Sequence, residues 1–271
     1  SAQNFGDPDV TNYVEDVFVG YRYYETFAPG AAQFHFGEGL GYTSFSLGLG
    51  NLGSDATRAH LDVTAKNTGE RGGSTVVQAY LETPDGKLSQ PARRLAAVTR
   101  TGSVVAGQSA TVSLDVDLRD FASYDDSGAT GHRSAYVLEP GTYRLHVGQS
   151  VKDTELAGEI EIENLIVVQQ LEEASSIQKG CGFDRMILTR GDDGEATVGY
   201  EPAPEEQRDL ARRILEHLPK ELAAPAEGAA APSFEEVRAG KVSLEEFVAT
   251  VGTEDLIALA YGDTTMDSPL G

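Results

Sequence analysis

Short strand-like segments alternate with turn signals from residue 57 to residue 148, and this rhythm limits the fold more than any other feature of the chain. "HLDVTAKNTG" alternates apolar and polar residues before an Asn-Thr-Gly turn, and "STVVQAYLETPDG" is an apolar run that stops at Pro-Asp-Gly. "SATVSLDVDL" alternates again over residues 109–118. Alternation with period two is typical of half-buried strands. Six or so such strands with regular turns predict a β-sandwich of about 100 residues.

The strand pattern continues beyond this region. "SAYVLEPGTYRLHVG" predicts two short strands on either side of a Glu-Pro-Gly turn, and residues 155–170 are also strand-like. Residues 171–204 have few periodic signals, so we interpret them as an ordered connector with loops. Residues 12–27, "NYVEDVFVGYRYYETF", have a strand-like, aromatic-rich pattern.

Helical patterns are confined to the last third of the chain. Residues 205–218 have apolar positions at helical spacing, and residues 223–232, "AAPAEGAAAP", predict a flexible or extended linker. Ser243 with Glu246 three positions later predicts a capping box, and a further helix is predicted to begin at Thr253. Both ends of the chain look unfinished, so we expect a piece of something larger.

Charge limits the partners of this chain. The sequence has 43 Asp and Glu against 21 Lys and Arg, a net charge of −22. Such a field repels phosphate backbones and anionic membrane surfaces, so we expect neither nucleic acid nor a membrane as a partner. Cys181 is the only cysteine, which allows no disulfide within one chain. A free thiol and an amino end without the pattern of a signal peptide predict a cytoplasmic protein.

Several acidic groups could be read as catalytic pairs or calcium sites. The residues weighed are Asp125 with Asp126, Asp192 with Asp193, Glu172 with Glu173, and the cluster of Asp115, Asp117 and Asp120. The last group breaks the spacing of a calcium-binding loop because Arg119 stands at the third ligand position. Solvated charges on loops or strand faces are the favoured interpretation.

Histidines and serines do not form a recognisable catalytic or metal motif in the sequence. The five histidines, which are far apart and lack a cysteine partner, are His35, His60, His132, His146 and His217. We therefore predict no metal site and no cofactor. His217 would complement a helix dipole. No G-x-S-x-G elbow supports a serine hydrolase.

Two aromatic-rich stretches invite a ligand-binding interpretation. Tyr21, Tyr23, Tyr24 and Phe27 could form a platform for a sugar ring, but core packing is favoured for them. "FHFGEGLGYTSF", residues 34–45, has glycines at positions 37, 39 and 41. The stretch leads into another strand and not into a helix, so we do not interpret it as a phosphate loop. We interpret it as a kinked junction in which the glycines let the backbone pass closely against neighbouring aromatic residues.

Four motifs in order resemble the landmarks of glycoside hydrolase family 3, the β-glucosidase family. They are "EDVFVGYRYYE" (15–25), "FHFGEGLGYTSF" (34–45), "NTGERGGSTVVQAYLETP" (67–84) and "EPGTYRLHVGQSVKD" (139–153). His35 departs from the proline that the family often has, and Gly41 from its usual serine. "GFDRMIL" (182–188) and residues 237–271 resemble the linker and barrel entrance of the subgroup with inverted domain order.

The resemblance implies a mainly β fold: a fibronectin type III-like (immunoglobulin-like) β-sandwich with a carboxyl-terminal connector carrying a few short helices. Residues 1–45 would end an α/β-sandwich domain, and 46–154 would form the fibronectin type III-like domain. Residues 155–240 would be a connector with a strand, loops and a helix. Residues 241–271 would begin a (β/α)8 barrel.

The resemblance also implies a non-catalytic structural part of a retaining β-glucosidase. Its partners would be the remaining α/β-sandwich and barrel domains, and the whole protein would act on a β-glucoside or oligosaccharide. The nucleophilic Asp and the acid/base Glu would lie outside residues 1–271, so no catalytic residue is assigned here and no substrate-binding residue can be named. Homo-oligomer formation stays open. The alternative is a free-standing β-sandwich that binds glycans or proteins.

Overall fold

The computed structural model describes residues 10–55, 57–173, 176–206 and 232–261. The chain divides into two compact units, residues 1–208 and residues 209–271. The first unit contains thirteen strands among its described residues: β1 (Phe45–Leu49), β2 (Gly53–Ser54), β3 (Arg58–Asn67), β4 (Val76–Glu82), β5 (Arg94–Arg100), β6 (Ser109–Asp117), β7 (Ser123–Asp125), β8 (Ala135–Leu138), β9 (Gly141–Gly148), β10 (Thr154–Ile162), β11 (Ile166–Gln170), β12 (Asp184–Arg190) and β13 (Ala196–Pro202).

Two antiparallel sheets form the sandwich that the alternating pattern predicts. In the first sheet β3 lies at the centre, with β6 on one side and β1 and β2 on the other. The second sheet has the strand order β10-β9-β4-β5. Alternate residues of β3 are buried, whereas β4 is buried at five consecutive positions, 77–81. The core therefore lies between the two sheets, as it does in sandwich folds. The predicted fold class is confirmed.

The predicted strands on either side of the Glu-Pro-Gly turn exist as β8 and β9, but they belong to different sheets. β8 lies in a third sheet of order β11-β8-β7, whereas β9 pairs with β4 and β10. At this corner the Tyr143 hydroxyl donates to the Glu139 carbonyl oxygen at 2.9 Å. Burial, with the nearby Glu139 charge, raises the pKa of Tyr143 to about 12. Such a tyrosine corner is a hallmark of immunoglobulin-like sandwiches.

The strand-like interpretation of residues 12–27 is wrong. Residues Tyr21–Phe27 form a helix, α1, which follows Gly20 at a φ of 61°. Tyr21 stacks on Phe36 with ring centroids 4.7 Å apart, and its hydroxyl accepts a hydrogen bond from the Leu95 N–H. Aromatic residues favour strands intrinsically, and here these contacts outweigh that preference.

The connector contains a hairpin that the sequence pattern did not predict. β12 and β13 pair antiparallel. Asp184 lies opposite Pro202 at one end of the pair, and Arg190 lies opposite Ala196 at the other. "RGDDGE" closes the hairpin: the Gly191 N–H donates to the Glu195 carbonyl oxygen, and Gly194 has a φ of 80°. β10 and β11 confirm the strands predicted within 155–170. β10 pairs with β9 in the second sheet. The domain boundaries after residues 45, 154 and 240 stay predictions.

The second unit contains three described helices, α2 (Phe234–Arg238), α3 (Leu244–Val248) and α4 (Thr253–Tyr261). The predicted capping box of Ser243 and Glu246 is confirmed, and Ser233 with Glu236 forms a second one. α4 begins at Thr253 as predicted. Residues 207–218 of the predicted helix, with His217, and residues 223–231 of the predicted linker lie outside the described residues. None of the described helices is long and apolar enough to span a membrane.

Tyr143→Phe tests how much the corner stabilises the sandwich. We expect a loss of about 1–2 kcal/mol in the free energy of unfolding, because the phenyl ring keeps the packing while the Glu139 carbonyl loses its partner. Urea unfolding followed by circular dichroism measures this. Tyr200→Phe is the control, since Tyr200 is 50% exposed. An equal effect of the two substitutions would contradict the role of the corner.

Candidate functional site

A groove of about 1250 Å³ opens at one end of the first unit. Its walls come from the segments around α1, the loop after β4, the loop after β7, and the hairpin of β12 and β13. The lining includes residues 82–94, 122–124, 126–127 and 185–188. Segments far apart in sequence thus meet at this one place.

Asp125 fixes the loop after β7. Its side chain is fully buried, and its carboxylate accepts hydrogen bonds from the backbone N–H groups of Gly128, Ala129 and Thr130 at 2.6–3.0 Å. The hydroxyls of Thr130 and Ser127 also donate to it, at 2.6 and 3.2 Å. Burial alone would raise the pKa of Asp125, but these hydrogen bonds outweigh burial and lower it. The loop is therefore held in one conformation.

Arg185, the second residue of β12, joins three segments of the unit. Its guanidinium donates to both oxygens of Asp126 at 2.6 and 3.1 Å, to Glu201 at 2.8 Å, and to Asp16 at 3.3 Å. Burial would lower the pKa of Arg185, but Asp126 and Glu201 raise it above its ordinary value. We call this cluster of Arg185, Asp16, Asp126 and Glu201 the Arg185 clasp. A guanidinium group can bind several carboxylates at once in this way because it presents several N–H donors in one plane.

Further contacts tie the hairpin to the sandwich. The Met186 N–H donates to the Val14 carbonyl oxygen at 2.7 Å, and the Leu188 N–H donates to the Ser89 hydroxyl at 3.1 Å. Arg190 pairs with Asp85 at 2.7 Å. The hairpin is therefore bound along the whole length of β12 to the segment before α1 and to the loop after β4.

Two tyrosines lie on the wall of the groove beside the loop that Asp125 fixes. Tyr124 of β7 and Tyr136 of β8 face each other across the strands, with ring centroids 5.1 Å apart and an angle of 49° between the rings. Each remains about 40% exposed. Neither takes part in the Arg185 clasp.

The acidic residues that were weighed as catalytic pairs or calcium sites differ in their burial and in their partners. The solvated interpretation is wrong for Asp125, which is buried, and Asp126 is bound to Arg185. Asp192 and Asp193 are exposed in the turn of the hairpin. Asp115 contacts His60 at 2.7 Å, and Asp117 pairs with Arg119. Asp120 is exposed, and both Glu172 and Glu173 have partners, Glu173 with Arg133 at 3.6 Å.

The four histidines in the described part of the chain are dispersed over the first unit. His35 lies 3.6 Å from Glu25, and His146 lies 2.9 Å from Glu82. His132 is exposed. No group of three or more His, Cys, Asp or Glu residues in the described part of the chain is arranged to hold a metal ion.

The aromatic and glycine-rich stretches near the amino end are only partly packed. Phe36 packs on Tyr21, whereas Phe34 and Tyr42 are 80% and 92% exposed. A side chain at Gly37, which has a φ of 87°, would meet the Gln78 side chain at 2.6 Å. The close approach predicted for the glycines is therefore present at Gly37, but its neighbour is an amide and not an aromatic ring.

Sequence reasoning named Asp125 and Asp126 but missed Arg185. The run "DDSGAT" carries a signal for the bonded loop, since Asp and Ser side chains bond to backbone N–H groups just after them. Nothing local marks Arg185, whose partners Asp16 and Asp126 are 169 and 59 residues away.

Two packed antiparallel sheets, with a tyrosine corner at the start of β9, define a fibronectin type III-like β-sandwich. In agreement, residues 75–151 match the family described as fibronectin type III-like domain.

The longer proteins to which the chain is similar include several β-glucosidases. It is 37% identical to a β-glucosidase of Ruminococcus albus over 97% of this chain and 27% of that protein. It is 32% identical to β-glucosidase A of Butyrivibrio fibrisolvens over 94% of this chain and 34% of that one. The crystal structure of a β-glucosidase from Paenibacillus barengoltzii superposes with a TM-score of 0.81 at 40% identity, over 94% of this chain and 28% of that one.

The chain is similar to a fragment of the β-glucosidases of glycoside hydrolase family 3. It spans about a quarter to a third of the length of these relatives.

Asp125→Asn tests the bonded loop. We expect a loss of about 1–3 kcal/mol in the free energy of unfolding at pH 7, because a neutral amide cannot accept all these hydrogen bonds. The pKa of Asp125 is lowered in the folded state, so its contribution is complete above the ordinary value of 3.8 and is lost as the pH falls through the lower folded value.

Urea unfolding at pH 7 and at acidic pH measures both effects. The difference between the native chain and Asp125→Asn should shrink on acidification. Asp192→Asn is the control because Asp192 is exposed. A difference that is independent of pH would show that the charge on Asp125 contributes nothing.

Proposed function

We propose that this chain is the non-catalytic structural part of a retaining β-glucosidase and that it holds the two catalytic domains in register. The observation that carries the proposal is the Arg185 clasp. One guanidinium binds the segment before α1 through Asp16, the sandwich through Asp126, and the connector hairpin through Glu201.

The clasp joins the two sides of the sandwich at which further domains would attach. In the inverted domain order, an α/β-sandwich domain leads into the segment before α1, and the connector leads to a barrel. Because Arg185 and Met186 bind both segments at one point, the path of the chain before the sandwich is fixed relative to its path after it. Charge-assisted, bidentate hydrogen bonds are well suited to fixing such a geometry.

The proposed domain order keeps the boundaries expected from the sequence. Residues 1–45 end the α/β-sandwich domain, 46–154 form the fibronectin type III-like domain, 155–240 form the connector, and 241–271 begin the barrel. Support comes from exposed apolar side chains in the junction: Phe34 is 80% exposed, Tyr42 is 92% exposed, and Leu40 is fully exposed. Apolar side chains clustered on a surface are typical of a contact with another domain.

The proposed chemistry takes place outside this chain. In a retaining glycosidase one carboxylate attacks the anomeric carbon while a carboxylic acid, roughly 5–5.5 Å away, protonates the leaving oxygen and then activates water. The family resemblance assigns both groups to the other two domains. The partners are therefore those domains, and the substrate is a terminal β-glucoside. A cytoplasmic location is also proposed, supported by the single, exposed thiol of Cys181.

The chain alone should not hydrolyse a β-glucoside. We expect no release of p-nitrophenol from p-nitrophenyl β-glucoside by the purified 271-residue chain above a heat-treated control, because neither reacting carboxylate is assigned to it. Turnover by the purified chain would contradict the assignment of both groups to other domains.

A chimera tests the structural role. The matching segment of the Ruminococcus albus β-glucosidase is replaced by this chain, and the hybrid is assayed with and without Arg185→Ala. We expect an active hybrid and about a hundredfold loss of kcat/KM on Arg185→Ala, the order of magnitude that a displacement of about 1 Å costs.

Arg119→Ala is the matched control because Arg119 also binds a carboxylate, but only that of Asp117, two residues away. It should leave kcat/KM unchanged. Thermal unfolding of both variants separates loss of register from loss of folding. A folded but inactive hybrid, or a fully active Arg185→Ala hybrid, would overturn the proposal.

A further inference from the structure

The wall of the groove formed by Tyr124 and Tyr136 is not explained by the structural role. The two rings lie on adjacent strands, each about 40% exposed. They face the groove while the apolar residues beside them in the same strands, among them Val137, are buried. Exposed aromatic side chains grouped beside a concave surface are typical of binding sites.

We propose that the groove binds a neutral β-glucan chain, with Tyr124 and Tyr136 as its stacking platform. An aromatic face matches the C–H groups on the apolar face of a pyranose ring. The separation of 5.1 Å between the ring centroids is close to the length of one hexose residue in such a chain. Two neighbouring sugar units can therefore each contact one ring.

The polar residues of the groove suit sugar hydroxyls. Asp126 and Glu201 keep 31% and 43% of their side chains exposed beside Arg185, and Asp85 and Arg190 lie further along the wall. Carboxylates accept hydrogen bonds from hydroxyl groups, and guanidinium groups donate to them. The net charge of −22 disfavours an acidic polysaccharide, so the ligand is neutral.

Hydrogen bonds hold the wall of the groove in one arrangement. Asp125 fixes the loop that follows Tyr124, and Arg185 ties Asp126 of that loop to the hairpin. Binding therefore has little ordering entropy to overcome, which favours affinity. The volume of about 1250 Å³ exceeds the roughly 300–1,000 Å³ of small-molecule sites, so an oligomer fits better than one sugar.

Binding of a β-glucan would be a second role of this chain, beside the proposed one of holding the two catalytic domains in register. It would not depend on how those domains are positioned. The proposed β-glucosidase activity determines only the choice of a β-linked ligand. A chain held in the groove would keep the enzyme near substrate ends, whereas hydrolysis itself would still occur in the other two domains.

Electrophoresis of the 271-residue chain in native gels containing mixed-linkage β-glucan tests the inference. We expect retardation by the β-glucan and none by pullulan, an α-glucan. Tyr124→Ala and Tyr136→Ala should each weaken binding by tenfold or more, whereas Tyr124→Phe and Tyr136→Phe should bind within twofold of the native chain. Tyrosine fluorescence during titration with cello-oligosaccharides gives a second readout, because the chain has no tryptophan.

Tyr200→Ala is the matched control, since Tyr200 is an exposed strand tyrosine outside the groove lining. It should bind like the native chain, and thermal unfolding identifies any variant that does not fold. The two Phe variants keep the proposal testable if an Ala variant unfolds. No retardation of the native chain, equal retardation by pullulan, or full binding by a folded Ala variant would overturn the inference. None of these results would affect the chimera assay, so the two proposals fail separately.

Discussion

Contact between two apolar sheet faces is the interaction on which the rest of the first unit depends. β3 contributes Leu61 and Val63, and β4 and β9 contribute Leu81 and Leu145, all of them nearly or fully buried. Each such side chain contributes up to about 1.5–3 kcal/mol by its removal from water. Because this contact fixes the spacing of the sheets, it also fixes where the loops at their ends emerge. The groove and the clasp are built from those loops.

The segment between β6 and β9 converts this end of the sandwich into a site. This segment is longer than a turn and contains β7 and β8, which pair with each other. β11 pairs with the other side of β8, and the three strands form a third sheet. This sheet carries Tyr124 and Tyr136 on its exposed side, while the corner at Tyr143 returns the chain to the core. A binding wall can therefore be added to the sandwich without disturbing the contact between its two main sheets.

The regular part of the sandwich could be predicted from the sequence because its signal is local. Alternation in β3 and β6 shows directly which side chains point inward, and the capping box at Ser243 is contained in four residues. α1 was mistaken for a strand because its packing on Phe36 and Leu95 is not visible in its own sequence. The same limit applies to the candidate site. Asp125 has its partners within five residues, whereas the partners of Arg185 lie in three segments that must come together.

The acidity of the chain explains why an arginine stands where these segments meet. The chain has 43 acidic residues against 21 basic ones, and each of the three segments that converge at Arg185 brings a carboxylate, from Asp16, Asp126 and Glu201. Burial, with the neighbouring Asp126 charge, raises the pKa of Asp16 although Arg185 opposes this. Without the guanidinium, Asp16, Asp126 and Glu201 would repel one another and separate the segments that they carry. A lysine carries all its donors on one nitrogen and could not reproduce the contact of two guanidinium nitrogens with the two oxygens of Asp126. In the clasp, the positive charge of Arg185 therefore offsets the repulsion between these carboxylates. It does so where the segment before the sandwich meets the hairpin that follows it.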